Sequence, residues 1–319
     1  MIQSSLRGRF QFGNVRARHV VLAVRGIAVL ALASFALSTP GFTSLLSINA
    51  LLTAISFIGC VAVGMTFITL TGNIMSLALG ATVSASALVF LASLSAGILP
   101  AFLLALAFGM VITAAQGFLV GYFRANPILV SIAGLSLLIG GAAFATGGQR
   151  IYPGGAGLTM FKGRVAGIPT VTLFFFATVI VGQLILSWTR IGRVMVMVGS
   201  NVRATTAVGV SAARAITVAY MIAGACSAVS GVLLAARYGS GDMEIGTGYD
   251  YAAIAAVLVG GTSITGGSGS VLRTLVGVAV IAIIEVVLLL RGFSDQLQYL
   301  ITGIIVLGVI MLHTVGERR

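Results

Sequence analysis

Apolar runs follow one another along almost the whole chain. Near-continuous stretches occupy 21–39, 46–70, 74–97, 99–121, 127–146, 169–188, 215–235, 251–262, 272–290 and 297–315. A helix needs roughly 20 apolar residues to cross a hydrocarbon core. Most of these runs reach that length; the run at 251–262 is short and passes into a glycine-rich stretch. The pattern predicts an all-α polytopic membrane protein with about ten transmembrane helices, some broken or re-entrant. It also predicts one membrane unit over 1–319 with no soluble domain. The longest polar connections fall at 147–168 and 189–214.

Composition agrees with this reading. The chain is 59% hydrophobic and only 8% charged, whereas soluble domains carry about 25% charged residues. Its net charge of +12 would suggest nucleic acid in a soluble protein, but no basic face interleaved with aromatics appears. The arginines stand instead at the ends of apolar runs. With the N-terminus in the cytoplasm and alternating crossings, thirteen of the eighteen basic residues fall inside and five outside. That split follows the positive-inside bias, and it makes 1–20, the C-terminus and 189–214 cytoplasmic. Asp242, Glu244, Asp250 and Asp295 then lie outside. The run "RHVVLAVRGIAVLALASFALS" has a second reading as a cleavable signal segment; retention keeps the number of crossings even. Cys60 and Cys226 lie in apolar runs and read as small buried residues. His19 and His313 are isolated, so no metal-ligand spacing exists.

The stretch "AAVLVGGTSITGGSGS" at 255–270 raises the question of a phosphate loop. An ATPase loop needs a lysine directly after its glycines, and the single lysine, Lys162, stands elsewhere. A dinucleotide fingerprint needs a strand before it and an acid after it; apolar runs flank this one. Glu285 is the only acid at membrane depth and no histidine lies there. No catalytic residue, cofactor or metal is therefore expected. The glycines read as a helix break where backbones pack closely, with Thr262, Ser263 and Thr265 satisfying exposed backbone groups; Thr262 and Ser263, with Glu285, are also candidates to line a solute pathway.

Other positions carry two readings each. In "TLTGNIMS", Thr71, Asn73 and Ser76 surround Gly72; they either line a solute pathway, offering donors and acceptors without charge, or bond between helices. Glu285 is a functional or a structural intramembrane acid. The segment 236–253 gathers Asp242, Glu244 and Asp250 with glycines and tyrosines, as a docking rim or a solvated loop. "GFLVG", with Gly117 and Gly121, reads as a small-xxx-small helix contact. In "NVRATTAVGV", Asn201 is placed to cap a short helix and Gly209 to end it.

Taken together, three segments carry a resemblance. The stretch 189–231 supplies Arg190, Gly192, Arg193, Gly199, Asn201, Ala204, Gly209, Val210, Tyr220 and Gly224. These match the cytoplasmic coupling region of sugar-type permeases of bacterial ABC importers. "AAIAAVLVGGTSITGGSGS" and "VGMTFITLTGNIMSLALG" resemble two further signatures of that group. The resemblance implies a permease subunit of the inner membrane, moving a monosaccharide or related small polar solute. It implies a second permease subunit, identical or not, two separate ATP-binding subunits, and a periplasmic substrate-binding protein. Contact with the ATPase then falls to Gly199, Ser200, Asn201, Ala204, Thr205, Thr206 and Gly209.

Two acids of the family pattern are missing. One position falls to Ser76 or Met75, depending on the anchoring glycine, and the other to Ala252. A different substrate or a non-identical permease partner accounts for the loss. The rival classes are an ion-coupled secondary transporter, and a permease of the same group for a sugar-like signal molecule, a nucleoside or an amino acid.

Overall fold

Helix boundaries follow the apolar runs wherever a capping residue stands at the edge. The computed structural model describes residues 34–308 apart from 74, 154–157, 159, 160, 162, 166, 295, 299, 305 and 306. Most of the runs 21–39 and 297–315 therefore lies outside the described residues, as do the 1–20 segment, His19, His313, Lys162 and Asp295.

Ten α-helices appear among the described residues: α1 Leu45–Leu70, α2 Leu79–Ala92, α3 Ile98–Tyr122, α4 Pro127–Thr146, α5 Thr170–Trp188, α6 Arg190–Ser200, α7 Val202–Ala207, α8 Ala212–Tyr238, α9 Tyr249–Val259 and α10 Val271–Leu290. Asn126 starts α4 by accepting from the Ile128 N–H at 2.9 Å, with Pro127 in the first turn, where a missing N–H costs nothing. Gly239, at φ 69°, ends α8 as its N–H donates to Ala235 O at 2.8 Å. Among the described residues, strand structure is confined to a two-residue antiparallel ladder, β1 Arg164–Val165 with β2 Ile168–Pro169, and one isolated bridge between Ile151 and Gly241. The chain is thus mostly helical, with a minimal strand pairing that the apolar pattern does not show.

Among the described residues six helices, α1, α3, α4, α5, α8 and α10, are long and apolar enough to cross a membrane. Two of the expected spans are shorter than the runs that suggested them. The run 74–97 yields only α2, of 14 residues, and 251–262 only α9, of 11 residues, about 16 Å long. Among the described residues the missing length is turn or extended chain beside glycine, and in the first case also a single 3-10 turn at Leu94–Ala96.

The chain divides into two compact units. In Asn49–Ala282 the buried centre is α1, α2 and α8. Buried residues make up 72% of the most apolar stretch of α1 and of α8, against 22% for α3 and 17% for α4. α3 and α4 instead turn leucines, Val111 and Phe144 outward, the last 93% exposed. An apolar exterior around a core that buries many Ala, Ser and Thr beside larger apolar side chains suits lipid. α3 and α8 touch through glycine. A Cβ at Gly109 would stand 2.7 Å from Gly224 O; one at Gly117 would stand 2.6 Å from Tyr220 Cβ, and one at Gly121 2.7 Å from Ala213 O. The "GFLVG" pair is therefore a helix contact. Cys60 and Cys226 are buried and free.

The other unit comprises the described parts of Met1–Ile48 and Ile283–Arg319. There the Arg291 guanidinium lies 4.0 Å over the Phe35 ring and donates to Thr39 Oγ1 at 3.3 Å.

Candidate functional site

The polar connector 189–214 holds two helices rather than one. Thr189 opens α6, its hydroxyl accepting from Gly192 N–H at 3.2 Å. α6 buries Gly192, Met195 and Val198 along one stripe and exposes Arg190, Ile191, Arg193 and Met197. That spacing was present in "RIGRVMVMVGS"; the reading of the sequence missed it because the preceding apolar run leads into it with only Thr189 between. Asn201 closes α6, its N–H donating to Met197 O at 3.0 Å, and opens α7, its Oδ1 accepting from Ala204 N–H at 3.0 Å.

α7 has a single buried residue, Thr205, whose hydroxyl lies 3.0 Å from Met197 O and 2.8 Å from Asn201 O. Gly209, at φ 79°, then reverses the chain, and Val210 N–H donates to Thr205 O at 3.2 Å. Around that anchor Asn201, Ala204, Thr206 and Gly209 are exposed, flanked by Val202 and Val208 at 49% and 68% exposure. α7 is a short, capped knob with apolar tips.

Gly199 and Ser200, at the foot of the knob, meet two chain breaks. The first follows α1. Thr71 donates to Ile68 O at 2.7 Å and accepts from Asn73 Nδ2 at 2.8 Å. Ser76 Oγ accepts from Ala78 N–H at 3.3 Å at the start of α2. Thr71 and Ser76 are buried in these local bonds, and Asn73 is half-buried.

The second break joins α9 to α10. Here the hydroxyls behave differently from the expectation. Ser263 and Thr265 bond each other at 2.8 Å, and the buried Thr262 hydroxyl has no partner among the described residues. Backbone satisfies backbone instead: Ser263 N–H donates to Ser268 O at 2.9 Å, and Gly267 N–H to Leu70 O at 3.1 Å. That last bond joins the two breaks, and Gly199 packs against it.

A second cluster holds the acids. Arg150 pairs with Asp242, its Nε donating at 2.7 Å, and this bond pushes the guanidinium further above its ordinary range. Beside it, Ile151 and Gly241 exchange backbone bonds of 2.8 and 3.0 Å. Asp242 Oδ1 also accepts from the Glu244 and Ile245 N–H groups, at 3.0 and 2.9 Å. Asp242 thus holds the loop together, while Glu244 is exposed. Asp250 does not share that surface. It is 7% exposed, and a Cβ on Gly80 would stand 3.2 Å from its Oδ1. The loop 241–248 folds inward, with Gly246 N–H donating to Ser84 Oγ at 2.9 Å, and carries Asp250 in the first turn of α9 with it.

Glu285, in the other unit, is half-buried on α10 without a hydrogen bond or ion pair among the described residues. Among the described residues four more buried polar side chains lack partners, Ser86, Gln116, Tyr220 and Ser227; the sequence singled out Tyr220 only for the resemblance and the other three not at all, because short polar residues inside an apolar run carry no mark of their partners. No group of metal-ligating side chains occurs among the described residues.

No solved structure matches the chain. Curated relatives do. The ribose import permease protein RbsC of Bacillus subtilis (strain 168) is 31% identical over 278 residues, 86% of each chain. The autoinducer 2 import system permease protein LsrD of Escherichia coli (strain K12) is 28% identical over 310 residues, 93% of each chain. Residues 47–310 match the family described as the branched-chain amino acid transport system / permease component. The match takes in both chain breaks, the knob and the acidic loop, so this chain belongs to that family of membrane permeases.

Proposed function

We propose that the chain is the pore-forming subunit of an ATP-driven importer in the bacterial inner membrane. Separate ATPase subunits dock on α7, a second permease subunit completes the pore, and a periplasmic binding protein delivers solute. The observation that carries this reading is α7: a six-residue helix, capped and anchored at its base, with every other residue exposed. A surface loop has no need of an N-cap, a buried anchor and a left-handed terminator within nine residues; a docking knob needs all three to keep its shape under load. Its Val202 and Val208 offer apolar contact without requiring a charged partner.

Sidedness supports the same scheme. The charge count sets 70–72, 189–214 and 260–270 on the inner side, and these segments touch one another. It sets 147–153 and 239–246 on the outer side, and these are joined by the Arg150–Asp242 pair and the Ile151–Gly241 bridge. About ten crossings with both termini in the cytoplasm fit this arrangement. The half-length α2 and α9 are then helices that start inside the protein, where backbone freed from a helix is tolerable.

The solute is a monosaccharide or a sugar-like signal molecule, as the names of the two relatives support. The missing acids favour a heterodimer: Ser76 is spent on the start of α2, and Ala252 is buried in α9. A purified complex containing this permease twice and no other would remove that part of the proposal. The central test is uptake into proteoliposomes holding permease, ATPase and binding protein. Accumulation that requires ATP and all three parts is expected; accumulation by the permease alone on an ion gradient would overturn the proposal.

A further inference from the structure

We infer that Gly199 is the point at which movement of the α6–α7 segment is passed to both chain breaks at once; this rests on the ATP-driven reading above. The last carbonyls of a helix lack intrahelical partners. At the end of α1, the Leu70 carbonyl finds its partner in Gly267 N–H, at 3.1 Å, across the break between α9 and α10. Gly199, in the last turn of α6, lies on that bond. A Cβ there would meet Leu70 O, and would stand 2.5 Å from Gly267 N and 3.0 Å from Leu70 C.

The neighbouring contacts are of the same kind. A Cβ on Gly266 would stand 2.5 Å from Gly72 N, one on Gly267 2.7 Å from Ser200 N, and one on Gly72 3.3 Å from Gly199 Cα and from Thr265 O. At Gly199, Gly266 and Gly72 backbone meets backbone; at Gly267 the Ser200 hydroxyl also stands against the main chain. Side chains yield by changing rotamer; main chain in contact does not. The upper end is equally stiff, because Asn201 and Thr205 tie α7 to the last turn of α6. A displacement of α7 therefore reaches the Leu70–Gly267 bond undiminished. From there it acts on 71–78 and on 260–270 together, the two places where helices are already broken.

Gly199→Ala tests this in the complete complex in proteoliposomes, with ATP hydrolysis and solute uptake measured in parallel. Solute moved per ATP is expected to fall about tenfold, the range of a lost coupling between two sites, while hydrolysis continues. Gly141→Ala, where a Cβ meets open space, is expected to match the wild type in both assays. A Gly199→Ala complex whose uptake per ATP equals the wild-type value overturns the inference, whether the two rates stay high or fall in proportion. Should that variant fail to assemble, Gly72→Ala, whose nearest contacts stand at 3.3 Å although its φ of 77° adds backbone strain, is read by the same ratio and decides. A wild-type complex without ATP-dependent uptake would instead remove the importer reading itself, so the two failures are told apart.

Discussion

Removing both anchors of α7 should unfold the knob and leave the rest of the chain intact. Six residues make too few helical bonds to hold a helix in isolation, so the stability of α7 rests on Asn201 and Thr205. Asn201→Ala removes the cap on Ala204 N–H, worth about 1 kcal/mol. Thr205→Val keeps the shape and removes the hydroxyl. One hydroxyl proton serves one acceptor at a time, so although Met197 O and Asn201 O both lie within reach, the loss is that of one bond, about 1 kcal/mol. Met197 O keeps its bond from Asn201 N–H and is not left bare. The pair together costs about 2 kcal/mol, or roughly 30-fold in the local opening equilibrium, less any coupling between adjacent sites. Hydrogen exchange of the purified permease measures this without partner subunits. Peptides covering 201–210 should exchange about 5-fold faster in each single variant and about 30-fold faster in the double, at 1.4 kcal/mol per decade. Unchanged exchange at 201–210, or acceleration spreading equally through α8, would refute the reasoning.

Two further expectations follow from packing and charge. Gly224→Ala sets a methyl against Thr113 Oγ1 and the Gly109 carbonyl; forcing α3 and α8 apart should cost about 2–3 kcal/mol and lower the thermal midpoint in detergent, and an unchanged midpoint would count against glycine-mediated packing. Glu244→Lys should weaken binding-protein docking at low salt and lose its effect at high salt, because exposed charges are screened. Asp242→Lys, by contrast, should also loosen 241–246 in hydrogen exchange, since it removes the Arg150 pair and the two caps; equal behaviour of the two variants would refute the division of roles.

The long helices were legible because their ends are written locally. α4 occupies the expected 127–146 to the residue, with Asn126 and Pro127 at one end and Gly147 at the other. α1 and α5 fall within one residue of expectation. Where an apolar run crosses a break, hydropathy misleads: "NIMSLAL" is apolar enough to read as helix, yet α2 begins only at Leu79. Apolar composition reports the surroundings of a chain, not its backbone. The same limit explains Asp250. Its position at the end of a polar, glycine-rich segment suggested solvent, but Gly246 and Gly248 let the chain turn back inward and bury the carboxylate.

The knob and its junction separate what a sequence can and cannot state. Asn201 as a cap and Gly209 as a terminator act on residues three or four away, so their types alone identified them. Thr71, Asn73 and Ser76 were equally visible as polar residues, yet their bonds proved local. Gly199 left no such mark. A glycine has no side chain whose chemistry could name its partner, and the partners, Leu70 and Gly267, are far along the chain in both directions. What makes the position consequential is the absence of a Cβ at a place where three backbones meet, and that appears only once the three are set side by side. In a protein with few charges to transmit force, contacts of this kind, main chain against main chain, are the stiffest available. They belong where the knob has to move a broken helix rather than bend around it.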